Sequence, residues 1–241
     1  MKILAIDSSS ITASVAILDN NKVTAEFFIN AGLTHSQTLA PMVDSALKCS
    51  NMHPKDIDLY AVSAGPGSFT GLRIGAAIAK AMAVVNNKPC IGISTLEALA
   101  YNAIGKNSIV CAAIDARRDQ VYTALFRVCK NEISRITEDT ANTTGNLKTE
   151  LEKFDEKIEF VGDGAQICYN AIVRSKESDR YFLTPEHNRY VSARSIAELA
   201  RKKHSSEFFC AEDDFKLIYL RIPQAERLRR EKLSRNCEVI K

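Results

Sequence analysis

Two stretches of this sequence, "AIDSSSITASVAIL" (Ala5–Leu18) and "AIDARRDQVYTALF" (Ala113–Phe126), align without a gap. Each reads as an apolar strand ending in aspartate (Asp7, Asp115), a polar turn, and a second strand of alternating apolar residues. Ala16 falls on Ala124 in this alignment. Internal self-similarity changes the reading of the whole chain, because it implies that one unit has been built twice. The alignment therefore predicts a duplication in which each half opens on an antiparallel hairpin.

Around the first copy, β-rich runs fall at Lys2–Asp7, Ala13–Leu18 and Val23–Ile29. Asp19-Asn20-Asn21 supplies residues that tolerate the backbone angles of a tight hairpin. Thr34 and Gln37 form a candidate capping box for a helix that contains Pro41 and is expected to bend there. An apolar strand, Leu59–Ala64, runs into "SAGPGSFTGLRIGAAIAKAMAV" (Ser63–Val84), a glycine turn opening an alanine-rich helix. Pro89–Ile93 reads as a strand, and Ser94 with Glu97 caps a helix expected to stop at Gly105. The order β-β-β-α-β-α-β-α is that of a ribonuclease-H-like unit.

Past the second copy come a strand at Ile158–Val161, the turn Gly162-Asp163-Gly164, and helices near Ala165–Arg174 and Ser192–Lys202. The polar stretch Asn131–Lys157 reads as an insertion or surface segment. The fold class expected is α/β: a two-lobed actin-like (ASKHA) fold with a duplicated ribonuclease-H-like core. Its lobes would be 1–106 and 107–241, with a break near Gly105–Asn107. The basic tail Arg221–Lys241 carries Leu228 and Leu233 on one side of a predicted helix. That helix either packs back on the first lobe or meets nucleic-acid phosphates.

Composition narrows the setting. At 241 residues the chain can bury a substantial core, and a net charge of +3 is too small to argue for nucleic acid by itself. No apolar run approaches the roughly 20 residues of a membrane helix, and the N-terminus lacks the apolar core and cleavage site of a signal peptide. Seven scattered cysteines without a CxxC pair suit free thiols in a reducing, cytoplasmic setting.

In actin-like folds two hairpins hold nucleotide phosphates, each reading Asp, any residue, Gly. Glycine admits the phosphate to the backbone amides, and the aspartate places the metal. Here the hairpins read Asp7-Ser8-Ser9-Ser10 and Asp115-Ala116-Arg117-Arg118, with both aspartates present and both glycines missing. Asp7, Ser9, Asp115, Arg117 and Arg118 are thus the candidate cofactor-binding residues, as degenerate phosphate hairpins. The competing reading is of strand-end aspartates capping their own turns, with the arginines solvated.

In the alanine-rich helix Gly71, Gly75, Ala79 and Ala83 share one face. Ile74, Ile78 and Met82 form the bulkier stripe expected to grip the sheet. A face without side-chain bulk calls for close packing, either inside the core or across a subunit contact.

The segments "ILAIDSSSITASVAIL", "LTHSQTLAPMVDSAL", "AVSAGPGSFTGLRIGAAIAKAMA", "AAIDARRDQVYTALF" and "YLRIPQAE" together resemble the bacterial TsaB (YeaZ) family. The likeness covers most of the first 126 residues and the C-terminal signature. It implies a subunit that works with TsaC, TsaD and TsaE in threonylcarbamoylation of the adenosine beside the tRNA anticodon. TsaD would be the catalyst, and this chain a non-catalytic support contacting it through its first two helices, near Thr34–Leu47 and Thr70–Val84. The implied partner interface is Thr34, His35, Leu39, Met42, Gly71, Arg73, Gly75, Ala79 and Ala83.

The resemblance also implies a homodimer in isolation, TsaD and TsaE as partners, and tRNA as substrate of the complex, with no membrane. It implies no tightly bound cofactor on this chain, with ATP, magnesium and a catalytic metal on the partner subunits. TsaD-type relatives carry two histidines four residues apart on the first helix; here His35 is followed at that spacing by Leu39. His53, His187 and His204 share no metal-ligand spacing, and Ser63, Ser68 and Cys111 have no base partner evident in sequence. No metal site and no catalytic residue is therefore expected. The rival class is a stand-alone actin-like small-molecule kinase or ATPase, which would keep glycine in both hairpins.

Overall fold

The computed structural model describes residues 1–117, 120–173, 179–206 and 215–221. Its first sheet has the order β3-β2-β1-β4-β5, built from β1 (Lys2–Asp7), β2 (Ala13–Asp19), β3 (Lys22–Ile29), β4 (Leu59–Gly65) and β5 (Cys90–Ser94). β1 pairs antiparallel with β2 and parallel with β4. Helices α1 (His35–Cys49) and α2 (Phe69–Asn86) follow β3 and β4, and α3 (Thr95–Tyr101) follows β5.

The second sheet repeats this plan. It comprises β6 (Asn107–Asp115), β7 (Gln120–Cys129), β8 (Glu132–Arg135), β10 (Ile158–Val161) and β11 (Tyr181–Leu183), in the order β11-β10-β6-β7-β8. A further short strand, β9 (Thr140–Thr143), also pairs with β7. Helices α4 (Thr144–Leu151), α5 (Ala165–Ile172), α6 (Glu186–Arg189) and α7 (Ala193–Ser206) complete the described residues. β6, like β1, lies between an antiparallel partner and a parallel one. The duplication seen in sequence is thus a duplication of topology.

One detail differs between the halves. Asp7 pairs with Ser14, whereas Asp115 pairs with Val121, so the second hairpin is one residue tighter than the alignment implies.

Strand alternation sorts the side chains into layers. Ile3 and Ala5 of β1, with Val110, Ala112 and Ile114 of β6, enter one central cluster together with Leu96 and Leu99 of α3 and Ile196 and Ala200 of α7. Leu4 and Ile6 point the other way, to Leu39, Met42 and Ala79 of α1 and α2. Ile109 and Cys111 similarly meet Leu147 of α4 and Cys168 of α5. Both sheets are covered on both faces, which is why their inner strands read as nearly unbroken apolar runs.

Three local expectations change. Asn131–Lys157 is no mere insertion: it supplies β8, β9 and α4, and Leu147 and Leu151 of α4 are buried. Thr34 precedes α1, yet its hydroxyl donates to Gln37 Oε1 at 2.9 Å and makes no bond to the helix backbone, so the capping box does not form. The third helix ends at Tyr101, with Gly105 lying beyond it in a turn. The cap at Ser94 does form, its hydroxyl accepting from the Glu97 amide. Cys49, Cys111, Cys129 and Cys168 are free thiols. The predicted basic tail helix lies outside the described residues.

Candidate functional site

Duplication brings the β1–β2 and β6–β7 turns to face each other across a cleft of about 430 Å³. Ser9, Ser10, Gly67 and Ser68 line it from the first lobe, and Asp115, Arg117 and Asp163 from the second. Ile218–Arg221 close one side. Of the candidate cofactor residues, Ser9, Asp115 and Arg117 line this cleft. Asp7 is fully buried, and Arg118 lies outside the described residues.

Each aspartate accepts from its own turn through Oδ1, while Asp7 Oδ2 is buried without a hydrogen-bond partner. Asp7 Oδ1 accepts from the Ser9 amide (3.2 Å), from the Ser9 hydroxyl (2.7 Å) and from Ser63 Oγ. Burial pushes the Asp7 carboxyl upward, opposed by the hydrogen bonds from Ser63 and Ser9. In the second turn the Arg117 amide donates to Asp115 Oδ1 at 2.7 Å, and its guanidinium lies 3.5 Å from Asp115 Oδ2.

One backbone amide in each turn, that of Ser9 and that of Arg117, is thus spent on the turn's own aspartate. The Ser9 carbonyl is also taken, accepting from the Ser68 amide at 2.6 Å. These contacts are those of the competing reading, aspartates capping their own turns. Ser63, which sequence reasoning did not single out for this role, is the buried partner that β4 brings to Asp7.

Across the cleft, burial raises the Asp163 carboxyl to about 6, while its Oδ1 accepts from the Asp115 amide at 3.1 Å. Asp163 sits in the turn leading into α5, where Gly164 approaches the backbone of Ile114 and Asp115 too closely for a side chain. Among the described residues no group of three histidines, cysteines or carboxylates is placed to hold a metal. His35 instead makes a structural contact, its Nε2 2.9 Å from the Ser10 carbonyl.

The glycine stripe answers to the first turn. A side chain on Gly71 would overlap the Ser8 carbonyl oxygen, and one on Gly75 would overlap Ser8 Oγ. Ser8 Oγ in turn donates to the Gly71 carbonyl at 2.8 Å. Ala79 and Ala83 continue this face into the core, both buried.

The expected interface through Gly71, Gly75, Ala79 and Ala83 is accordingly corrected: the stripe packs β1 and its turn onto α2 within the chain. Leu39 and Met42 are corrected for the same reason, being buried beneath α1. Ile74, Ile78 and Met82, expected to grip the sheet, are only partly covered. Thr34 and Arg73 remain at the surface.

What faces outward on α2 is a second apolar strip. Ala77 and Ala81 are exposed, Ile74 and Ile78 are half-covered, and Val84 and Val85 stand 80% and 84% exposed. Arg73 and Lys80 are the only charges in this helix. Helical phase alone places these residues opposite Gly75 and Ala79, so the signal was present in the spacing.

The family model described as TsaD, tRNA N6-adenosine threonylcarbamoyltransferase, matches residues 30–231. The tRNA threonylcarbamoyladenosine biosynthesis protein TsaB of Bacillus subtilis (strain 168) is 30% identical over 228 residues, spanning 94% of this chain and 96% of that protein. The protein of the same name from Escherichia coli (strain K12) is 42% identical over 135 residues, 55% of this chain and 58% of that one. The solved structure of YeaZ from Pseudomonas aeruginosa superposes with a TM-score of 0.74 at 24% identity, over 90% of this chain and 99% of that one. This last likeness shows that the two chains share a fold.

Proposed function

This chain belongs to the TsaB (YeaZ) family, and we propose that it acts in tRNA N6-threonylcarbamoyladenosine biosynthesis as a non-catalytic subunit. It binds and supports a catalytic TsaD partner, together with TsaE, in the cytoplasm. The observation that carries the reading is the outward face of α2, where Val84 and Val85 stand exposed beside Ile74, Ile78, Ala77 and Ala81. An apolar strip of this kind on a helix otherwise docked to its own sheet suits burial against another protein.

The partner-contact residues proposed are therefore Thr34 and Arg73 from the original set, joined by Ala77, Ile78, Ala81, Val84 and Val85. The same strip offers a contact for a second copy when TsaD is absent. The non-catalytic reading is supported by the occupied turn amides of Ser9 and Arg117 and by the buried Asp7 carboxylate. ATP, magnesium and the catalytic metal are assigned to the partner subunits, and tRNA is the substrate of the assembly.

Reconstituting threonylcarbamoylation with TsaC, TsaD and TsaE, with and without this chain, tests the reading. Modification is expected to depend on the chain. Modification that proceeds equally well without it, or ATP hydrolysis by the isolated chain at roughly 1 per second or faster, would favour the kinase or ATPase class instead.

A further inference from the structure

The segment Phe215–Arg221 has no regular secondary structure, yet it is anchored at successive points. The Ile218 amide donates to the Ala64 carbonyl at 2.7 Å. Its own carbonyl lies where a side chain on Gly65 would have to go, and Gly65 is held at a φ of +109°. The Phe215 ring occupies the space that a side chain on Gly92 would fill, 2.8 Å from that Cβ position, and lies under Lys80 Nζ at 4.6 Å. Tyr219 packs on Phe69 with ring centroids 4.8 Å apart, and its hydroxyl accepts from Arg73 Nε at 3.2 Å.

All of these contacts are with the first lobe. The next contact is not. Arg221 Nη1 reaches across the cleft to donate to the Ala116 carbonyl at 2.5 Å, with the Arg117 carbonyl at 3.4 Å. Those carbonyls belong to the β6–β7 turn of the second lobe.

Among the described residues the lobes meet at several points, hydrogen bonds from Ser192 to Glu26 and from the Ala193 amide to Ser14 among them, and two of the contacts differ in character. One is the central apolar layer of α3 and α7, which lies between the sheets. The other is this strap, a polar crossing at the cleft that ends in one guanidinium. A packed apolar layer offers a hinge, whereas two hydrogen bonds at the cleft, one to the part-buried Ala116 carbonyl and one to the exposed Arg117 carbonyl, can be exchanged for water when the lobes part.

We propose that Phe215–Arg221 is a clasp, in which Arg221 holds the two lobes closed over the cleft. Opening the cleft requires release of Arg221 from the Ala116–Arg117 turn. Gly65 and Gly92 are part of this device, because each leaves room for strap atoms that a side chain would displace. The inference stands on the fold alone and does not depend on the partner proposed above.

Hydrogen exchange followed by mass spectrometry on the full chain tests it. In Arg221→Ala, amides in peptides spanning Asp115–Val121 of the second lobe and Ser8–Thr12 of the first are expected to exchange about tenfold faster. Peptides from the inner strands β1 and β6 should be unchanged. Tyr219→Ala removes the anchor at the other end and is expected to loosen the same second-lobe turn, although Tyr219 does not touch it. Unchanged exchange at Asp115–Val121 in both variants would overturn the clasp, leaving the strap as a cover for the first lobe only. Acceleration spread evenly over all strands would overturn it too, since that reports global destabilisation.

Discussion

The carbonyl oxygen of Ser8 occupies the position that a side chain on Gly71 would need. Turn and helix are thereby locked together, with the Ser8 hydroxyl returning a hydrogen bond to the Gly71 carbonyl. Glycine in a helix interior costs about 1 kcal/mol relative to alanine. Here that cost is offset inside the subunit, by bringing α2 onto the end of β1.

It follows that Gly75→Leu damages the fold itself. Its side chain would meet Ser8 Oγ, Val62 and Ile6 in a filled core. A loss of about 3 kcal/mol or more is expected in urea unfolding, as for overpacked buried sites. An unfolding midpoint equal to that of the parent would show that the stripe does not pack as described.

Asp7 should behave as a structural acceptor. In Asp7→Ala the Ser9 and Ser63 hydroxyls and the Ser9 amide lose their shared partner inside the core. A destabilisation of about 1–3 kcal/mol is expected, the usual cost of leaving buried donors unpaired. Equal stability of the two proteins in chemical denaturation would contradict this role.

Asp163 provides a pH signature. Its carboxyl is raised from 3.8 to about 6 by burial, so between these values the folded state holds a proton that the unfolded state has released. Stability contributed by this group is therefore fully present below pH 4 and falls as pH rises toward 6. Asp163→Asn keeps an acceptor for the Asp115 amide and removes the ionisation. The variant is expected to gain up to about 3 kcal/mol over the parent above pH 7, the equivalent of a two-unit shift. The gain should vanish near pH 4. Parallel stability curves for the two proteins across this range would refute the assignment.

Much of the fold was legible because it is written twice. The aligned Ala5-Ile6-Asp7 and Ala113-Ile114-Asp115 segments occupy equivalent central strands, and the strand order follows from them. The Asn131–Lys157 segment escaped because its strands are short and mostly exposed, so polarity hid a sheet edge. The two aspartates were found, but their function in the turns depends on Ser63, which lies 56 residues from Asp7 in sequence.

The orientation of α2 was misread for a physical reason. Bulky residues were expected inside and small ones outside, yet the helix sits so close to the first turn that only glycine and alanine fit beneath it. Ile74, Ile78 and Met82 are displaced to its flanks as a result. The small-residue face expected to meet a partner is thus the face that packs inside the chain.

The most direct measurement of the central claim is association with the TsaD of the same organism, followed by light scattering for the parent chain and for Val85→Asp. Val85 is 84% exposed, so the substitution should leave the unfolding free energy within about 0.5 kcal/mol. The account predicts a stable complex for the parent and at least about a tenfold weaker one for Val85→Asp, since a charge would be buried at an apolar contact. A parent chain that does not associate with TsaD, or a Val85→Asp variant that binds as tightly as the parent, would contradict it.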